Sequence, residues 1–379
     1  MTRLRILTVV GTRPEAIKLA PVILRLRAHP GVEHVLCTTG QHQQMLTQAL
    51  QAFGLLPDEN LALMQDQPDL NQLTAGTLIG IGQLIRTAHP DRIVVQGDTA
   101  TAFAAGLAAF HTHVPLAHVE AGLRTGQRHS PWPEEVYRRT LSLLADLHFA
   151  PTPWAAAQLR REGIADATIH VTGNTVIDAL QAVCRRPDLD AVLAQALGPD
   201  LCAELAQGRR LILVTGHRRE NLDQGLAATC TALRQLAARG DVDIVFPVHL
   251  NPRVRKTVAT LLAGTPRVHL IEPLDYLGFV ALMRRCHHII TDSGGIQEEA
   301  PGLGKPVLVT RDTTERPEAL EAGTALLIGQ QAEPLAAASN RLLDDPAAYA
   351  AMAEARHPFG DGRASERIVE ALLQGLARP

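Results

Sequence analysis

The sequence predicts an α/β protein built from two doubly wound domains facing a central cleft, and three observations carry that prediction. Short apolar runs alternate with longer helical patterns, as in a parallel sheet covered by helices on both faces. The alternation runs through once, pauses near Gly173-Asn174-Thr175, and then repeats. With 379 residues and a hydrophobic fraction of 46%, the chain is long and apolar enough for two domains that each bury a core.

In the first half the apolar runs predict strands over Arg5–Val10, His34–Thr39, Arg92–Gln96, Leu116–Val119, Leu147–Ala150 and Ile169–Thr172. Helical patterns lie between them, for example Glu15–Ala28, Gln43–Phe53 and Leu70–Ala88. The second half predicts strands over Leu211–Thr215, Asp243–Pro247, Val268–Ile271, Ile289–Thr291, Val307–Val309 and Ala325–Ile328. Arg185–Asp200, with Pro187 and Pro199, reads as either helix or loop. The expected domains are 1–173 and 174–361, and 362–379 forms a final helix that packs back on the first domain.

Composition removes several function classes. The net charge is only −3 with acids and bases mixed along the chain, so no basic face points to nucleic acid. No apolar stretch reaches the roughly 18 residues of a membrane span, and a strand is expected from residue 4, which leaves no room for a signal peptide. The five cysteines are scattered and lack C-x-x-C spacing, as for reduced thiols in the cytoplasm. His111-x-His113 and His287-His288 read as surface or packing residues, and no pattern implies zinc or another metal.

The motifs fall where predicted strands end, the place where open α/β sheets bind ligands. D-S-G-G-I-Q-E-E-A-P, Asp292 to Pro301, is a small-residue turn opening a helix that carries Glu298 and Glu299. Such a turn is either a tight strand–helix connection or an anion site made of backbone N–H groups. A nucleotide complements it, with phosphates for Ser293, Gly294 and Gly295 and ribose hydroxyls for a carboxylate. G-T-R-P-E-A-I-K, Gly11 to Lys18, is a similar turn. Pro14 suits the first helical turn, while Arg13 and Lys18 place two cations at the end of the helix dipole that favours acids. That arrangement points to an anionic ligand. Neither turn is a dinucleotide fingerprint or a phosphate-binding P-loop, which disfavours NAD and ATP.

Acids cluster at the other strand ends. Asp98 in Q-G-D-T is either a helix cap or a functional acid. Glu120 in H-V-E-A-G-L-R is a poor cap, so its place at a buried strand end asks for a partner or a function. Glu134 and Glu135 in P-W-P-E-E start a helix, one to pair with its dipole and the other to face the cleft. From the second half, T-G-H-R-R-E-N presents His217 with Arg218 and Arg219, P-V-H-L-N-P presents His249, and R-D-T-T-E-R-P-E presents Arg316. Acids and cations around a nucleotide suggest proton transfer coupled to departure of a phosphate leaving group.

With these blocks in order, joined by T-G-N-T-V-I-D, the chain resembles the non-hydrolysing bacterial UDP-N-acetylglucosamine 2-epimerases nearly end to end. The resemblance implies a GT-B fold of two Rossmann-like α/β/α domains, a homodimer, and no metal or NAD cofactor. It implies reversible conversion of UDP-GlcNAc to UDP-ManNAc for surface polysaccharide synthesis, through loss of UDP to 2-acetamidoglucal and readdition. By similarity Asp98, Glu120 and Glu134 are the acid/base candidates, in no assigned order, and His217 acts as acid or stabilises the departing diphosphate. Arg13 and Lys18 match nucleotide-side cations, Ser293, Gly294 and Gly295 the diphosphate turn, Glu299 a ribose contact, Arg316 a substrate-side cation, and Phe279 a uracil neighbour. Leu274 stands where relatives often carry Gln, which alters one contact near the base.

The family also implies an activating second UDP-GlcNAc, and Gln41, Gln44, Glu134, Arg218 and His249 match its lining. Gln67 stands where Arg is expected, so activation should be weaker. Two other readings compete. A GT-B UDP-sugar glycosyltransferase would share the fold but needs fewer acids, and a hydrolysing epimerase would release ManNAc and UDP.

Overall fold

The computed structural model describes residues 3–40, 43–63, 69–216, 224–314, 316–355 and 357–374. The chain divides into two compact units, Met1–Gln181 with Phe359–Pro379, and Ala182–Pro358.

The first unit holds a parallel sheet of seven strands: β1 Leu4–Val10, β2 Val32–Thr38, β3 Glu59–Asn60, β4 Arg92–Gln96, β5 Leu116–Val119, β6 Leu147–Ala150 and β7 Ile169–Val171. Their order across the sheet is β3-β2-β1-β4-β5-β6-β7, so the winding reverses between β1 and β4. Strands covered on both faces read as continuous apolar runs, and Ile6, Leu7, Val9 and Val10 of β1 are fully buried. Each such side chain contributes about 1.5–3 kcal/mol of hydrophobic stabilisation. The helix Ala100–His111 packs closely beside the sheet because its inner residues are small. A Cβ at Gly106 would lie 3.1 Å from Leu116 Cδ2 of β5 and 2.6 Å from Leu141 Cδ2 of the helix Glu134–Leu144.

The second unit repeats the scheme with six parallel strands: β8 Arg210–Thr215, β9 Val242–Pro247, β10 Val268–Ile271, β11 His288–Thr291, β12 Val307–Val309 and β13 Ala325–Leu327. Their order, β10-β9-β8-β11-β12-β13, reverses between β8 and β11. Ile212, Val214, Leu233, Ile244, Phe246 and Ile290 belong to its core. Both orders are those of a Rossmann-like sheet, whose ligand crevice lies at the carboxyl ends of the strands beside the reversal.

The segment left open as helix or loop contains the helix Leu189–Leu197, and a second helix starts after it at Pro199–Leu205. Pro199 occupies a first-turn position, where its missing N–H removes no hydrogen bond. The segment from Phe359 belongs to the first unit through polar contacts. Asp178 accepts from Ala364 N at 3.1 Å, Ser365 N at 2.8 Å and Ser365 Oγ at 2.5 Å, and Arg25 Nε donates to Ser365 Oγ at 2.9 Å. Gly173 and Gly360 cross so closely that a Cβ on either would lie 3.2–3.3 Å from the other's Cα. No helix among the described residues is long and apolar enough to cross a membrane.

Candidate active site

In the first unit, the carboxyl ends of β1, β4 and β5 bring Lys18, Asp98 and Glu120 together. The turn after β1 is shaped by close packing, since a Cβ at Gly11 would lie 2.1 Å from Thr101 Oγ1 and 2.7 Å from Thr39 Oγ1. Thr12 caps the helix Arg13–Ala28 in a capping box with Glu15. Glu15 is 1% exposed. Its Oε2 accepts from Gly11 N at 2.9 Å, Thr12 N at 2.7 Å and Thr12 Oγ1 at 2.8 Å, and its Oε1 accepts from Thr99 Oγ1 at 2.6 Å. One carboxyl thus ties the β1 turn to the β4 turn. Burial raises it above the usual carboxylate range, and the Thr99, Thr12 and Gly11 donors pull the other way.

Glu120 follows β5 in the left-handed region at φ +63. That backbone is uncommon for a residue with a Cβ and is found at sites that other contacts hold in place. Here Oε1 takes Lys18 Nζ at 2.5 Å and Asn174 Nδ2 at 3.4 Å, while Oε2 accepts from Gln96 Nε2. Lys18, expected near the nucleotide, therefore pairs with an acid from another strand end.

Asp98 lies beside Arg138, whose Nη1 is 3.5 Å from its Oδ2. The Asp98 side chain keeps 29% of its area accessible, yet protein encloses its remaining sides. This burial raises the carboxyl to about 6, against the pull of Arg138 and with further upward pressure from Glu120 and Glu134. The backbone around it is held by His118, whose Nε2 donates to the Gly97 carbonyl at 2.7 Å. Burial lowers that imidazole to about 3, so it serves as a neutral donor.

The two acids of P-W-P-E-E separate in role. Glu135 is 1% exposed, accepts from Thr125 N and Gly126 N at 3.1 Å each, and approaches Arg138 Nε at 3.1 Å. It fixes a loop. Glu134, in the same first turn, has a buried Oε2 without a hydrogen-bond partner among the described residues. Arg13 stands half-buried at the start of its helix.

In the second unit, β8 and β11 end side by side, and Thr215 Oγ1 and Thr291 Oγ1 are 2.6 Å apart. Thr291 Oγ1 also accepts from Ser293 N at 2.9 Å, which sets the turn into the helix Gly294–Glu299. Ser293 is the cap residue, followed by Gly294 and Gly295. Gln297 accepts from Thr314 Oγ1 at 2.7 Å, and Thr314 Oγ1 accepts from Arg316 N at 3.1 Å. The Arg316 guanidinium pairs with Glu298, the carboxylate beside Glu299. Phe279 is half-buried on the helix Tyr276–Arg285, and His249 is exposed after β9. His217, Arg218, Gln41 and Gln67 lie outside the described residues, as does the side chain of Gln44.

Glu15, Gln96 and Arg138 were missed as site residues by sequence reasoning, and Glu298, named with Glu299 as a carboxylate of the turn's helix, was not foreseen as the partner of Arg316. Thr12-x-x-Glu15 carries a readable capping-box signal, and Arg138 falls three and four residues after the Glu135–Glu134 pair. Gln96 gives no such signal, and neither does the pairing of Glu298 with Arg316, because the partners come from a neighbouring strand end and a distant loop.

Comparisons with known proteins agree over nearly the whole length. A family model described as UDP-N-acetylglucosamine 2-epimerase matches residues 24–373. A probable UDP-N-acetylglucosamine 2-epimerase of Ralstonia solanacearum is 50% identical over 369 residues, 97% of this chain and 98% of the relative. The UDP-N-acetylglucosamine 2-epimerase of Escherichia coli K12 is 48% identical over 370 residues, again 97% and 98%. Among solved structures, UDP-GlcNAc 2-epimerase from Neisseria meningitidis bound to UDP-GlcNAc superposes with a TM-score of 0.90 at 44% identity, covering 98% of this chain and 100% of that one. The Methanocaldococcus jannaschii enzyme in complex with UDP-GlcNAc and UDP gives 0.80 at 32% identity, with 98% and 100% covered.

Proposed function

Since the chain belongs to the UDP-N-acetylglucosamine 2-epimerase family, we propose that it interconverts UDP-GlcNAc and UDP-ManNAc without net hydrolysis. The proton on sugar carbon 2 passes to a protein base while the carbon 1–oxygen bond breaks, releasing UDP and leaving 2-acetamidoglucal. Readdition of UDP at carbon 1, with proton delivery to the opposite face of carbon 2, gives the epimer. Inversion calls for proton-transfer groups on two faces, and Asp98, Glu120 and Glu134 are the candidates.

The observation that carries this reading is Asp98, whose carboxyl is raised to about 6 beside two further acids. A group poised there takes and returns a proton near neutrality with little penalty in either direction. In the second unit the Ser293-Gly294-Gly295 turn supports a diphosphate contact, Glu299 a ribose contact and Phe279 a base contact. Arg13, Arg316 and His217 are assigned to the substrate's anionic groups. The proposal extends to a cytoplasmic homodimer that supplies precursors of surface polysaccharide. Val136 and Leu143, seven residues apart on one helix and 40% and 76% exposed, favour an apolar partner surface.

Proton NMR with UDP-GlcNAc in deuterium oxide tests the reaction. UDP-ManNAc bearing deuterium at carbon 2 is expected. Free ManNAc and UDP as the main products would move the chain to the hydrolysing class. No turnover at high UDP-GlcNAc would refute epimerisation and return the glycosyltransferase reading.

A further inference from the structure

The second unit carries a cluster that the proposed reaction does not use. Asp243 and His269 lie on the neighbouring strands β9 and β10, each the second residue of its strand. They are two steps apart in register, because His269 pairs with Val245, so both side chains leave the same face of the sheet. Glu204, from the short helix Pro199–Leu205, reaches the same point. The cluster is near the amino ends of the strands, whereas the turn at Ser293 follows the carboxyl end of β11.

Its geometry suits ligands converging on one point rather than a hydrogen-bonded network, with one ligand atom from each residue within 4.8 Å of the others. His269 Nε2 is 3.5 Å from Asp243 Oδ1 and 3.8 Å from Glu204 Oε1. Both distances exceed the 2.7–3.2 Å of an N–H···O bond. They lie within about half an ångström of the roughly 3.3 Å edge of a tetrahedron drawn with Zn–N and Zn–O bonds of about 2.0–2.1 Å. Asp243 Oδ1 and His269 Nε2 are both buried without a hydrogen-bond partner among the described residues. The Asp243 side chain is only 1% exposed. Buried polar atoms left in this way call for a water or an ion.

The surroundings suit a cation. Arg209 Nε donates to the other Asp243 oxygen, Oδ2, at 2.9 Å, and Arg209 Nη1 donates to Gln207 Oε1 at 2.6 Å. That outer bond orients the carboxylate and leaves Oδ1 pointing at the cluster, as partners behind metal ligands do. A surface hollow of about 610 Å³, lined by Asp200, Glu204, Gln207, Arg209 and Arg267 among others, opens beside Glu204. One imidazole with two carboxylates matches a first-row transition dication better than Mg²⁺ or Ca²⁺, which favour oxygen alone.

We propose that Glu204, Asp243 and His269 form a structural binding site for a divalent transition-metal ion, with Zn²⁺ as the best fit and water in the remaining position. The ion would tie the helix Pro199–Leu205 to two strands of the second-unit sheet. Sequence motifs miss such a site because its ligands come from three elements, Asp243 falling 39 positions after Glu204 and His269 a further 26 positions on.

The test is made on the full chain. Metal-free protein is titrated with Zn²⁺ alone, by calorimetry and by metal analysis after dialysis, and with Co²⁺ for its visible absorption. Glu204→Gln and His269→Gln are measured in parallel. The Glu204 side chain is 42% exposed, so the first variant should fold even where the second does not. One equivalent of Zn²⁺ is expected on the wild type, with a rise in Tm. Each substitution should weaken binding at least 10–100-fold, the range that loss of an outer partner alone produces. Failure of the wild type to hold one equivalent overturns the proposal. So does an equivalent held equally well by Glu204→Gln, since the ion would then be bound without the Glu204 carboxylate that the site requires.

Discussion

Replacing Arg138 by Met tests the electrostatics around Asp98 most directly. Arg138 is the first of the charges that oppose the burial of this carboxyl, and 3.5 Å separates the two groups. At that distance Coulomb's law gives about 2.4 kcal/mol for an effective dielectric of ~40, a value between those for surface pairs and for water. With 1.36 kcal/mol per pKa unit this is about 1.7 units, and solvent access to 29% of the Asp98 side chain reduces the expectation to roughly 1 unit. The direction is upward. Loss of the cation disfavours the carboxylate, so the kinetic limb governed by Asp98 should move from about 6 towards 7, whichever protonation state is the active one. The assay is kcat/KM for UDP-GlcNAc epimerisation between pH 5 and 9, with Arg138→Lys as the control that keeps the charge. A limb that stays in place, or moves down, in Arg138→Met would refute the assignment of that limb to Asp98.

The other predictions concern the supports of the site and its regulation. Lys18→Met leaves Glu120 buried without its cation and should lower stability by about 3 kcal/mol, the low end for a broken buried pair because Gln96 and Asn174 still donate. Urea unfolding reads it, and a loss below 1 kcal/mol would show that the pair contributes little. Glu15→Ala removes the acceptor of four hydrogen bonds and should cost about 2–4 kcal/mol, with Glu15→Gln costing less than half of that; equal costs for the two would count against the hydrogen-bond account. If a second UDP-GlcNAc activates this chain as the family resemblance implies, Gln67→Arg should make the initial rate rise more sigmoidally with UDP-GlcNAc than in the wild type, and an unchanged curve removes position 67 from such activation.

The strands were legible because parallel strands buried on both faces are written as short apolar runs, and the reading matches β1, β2 and β4–β13 to within a residue or two. β3 was not, since a two-residue edge strand of Glu59 and Asn60 carries no apolar signal. At the site, the turns and the acids were visible, but their pairings were not. Arg13 and Lys18 looked out of place at a helix start, yet Glu15 supplies the acid that this end of the dipole favours, hidden two residues after Arg13. The charge on Lys18 meets Glu120, 102 positions away, and only the β1-β4-β5 order makes them neighbours. The choice between Glu134 and Glu135 rested in the same way on Thr125, Gly126 and Arg138.

The return of the segment from Phe359 to the first unit has a consequence for how the chain comes into being on the ribosome. Synthesis delivers Ala182 to Pro358 as an uninterrupted stretch, so the second unit has every residue it needs before the first unit does. Asp178, made early, waits for Ala364 and Ser365 through more than 180 further residues. The first unit therefore closes late, and a nascent chain that stalls before Ala364 leaves the Asp178 carboxylate and the surface around it uncovered for quality-control factors to detect.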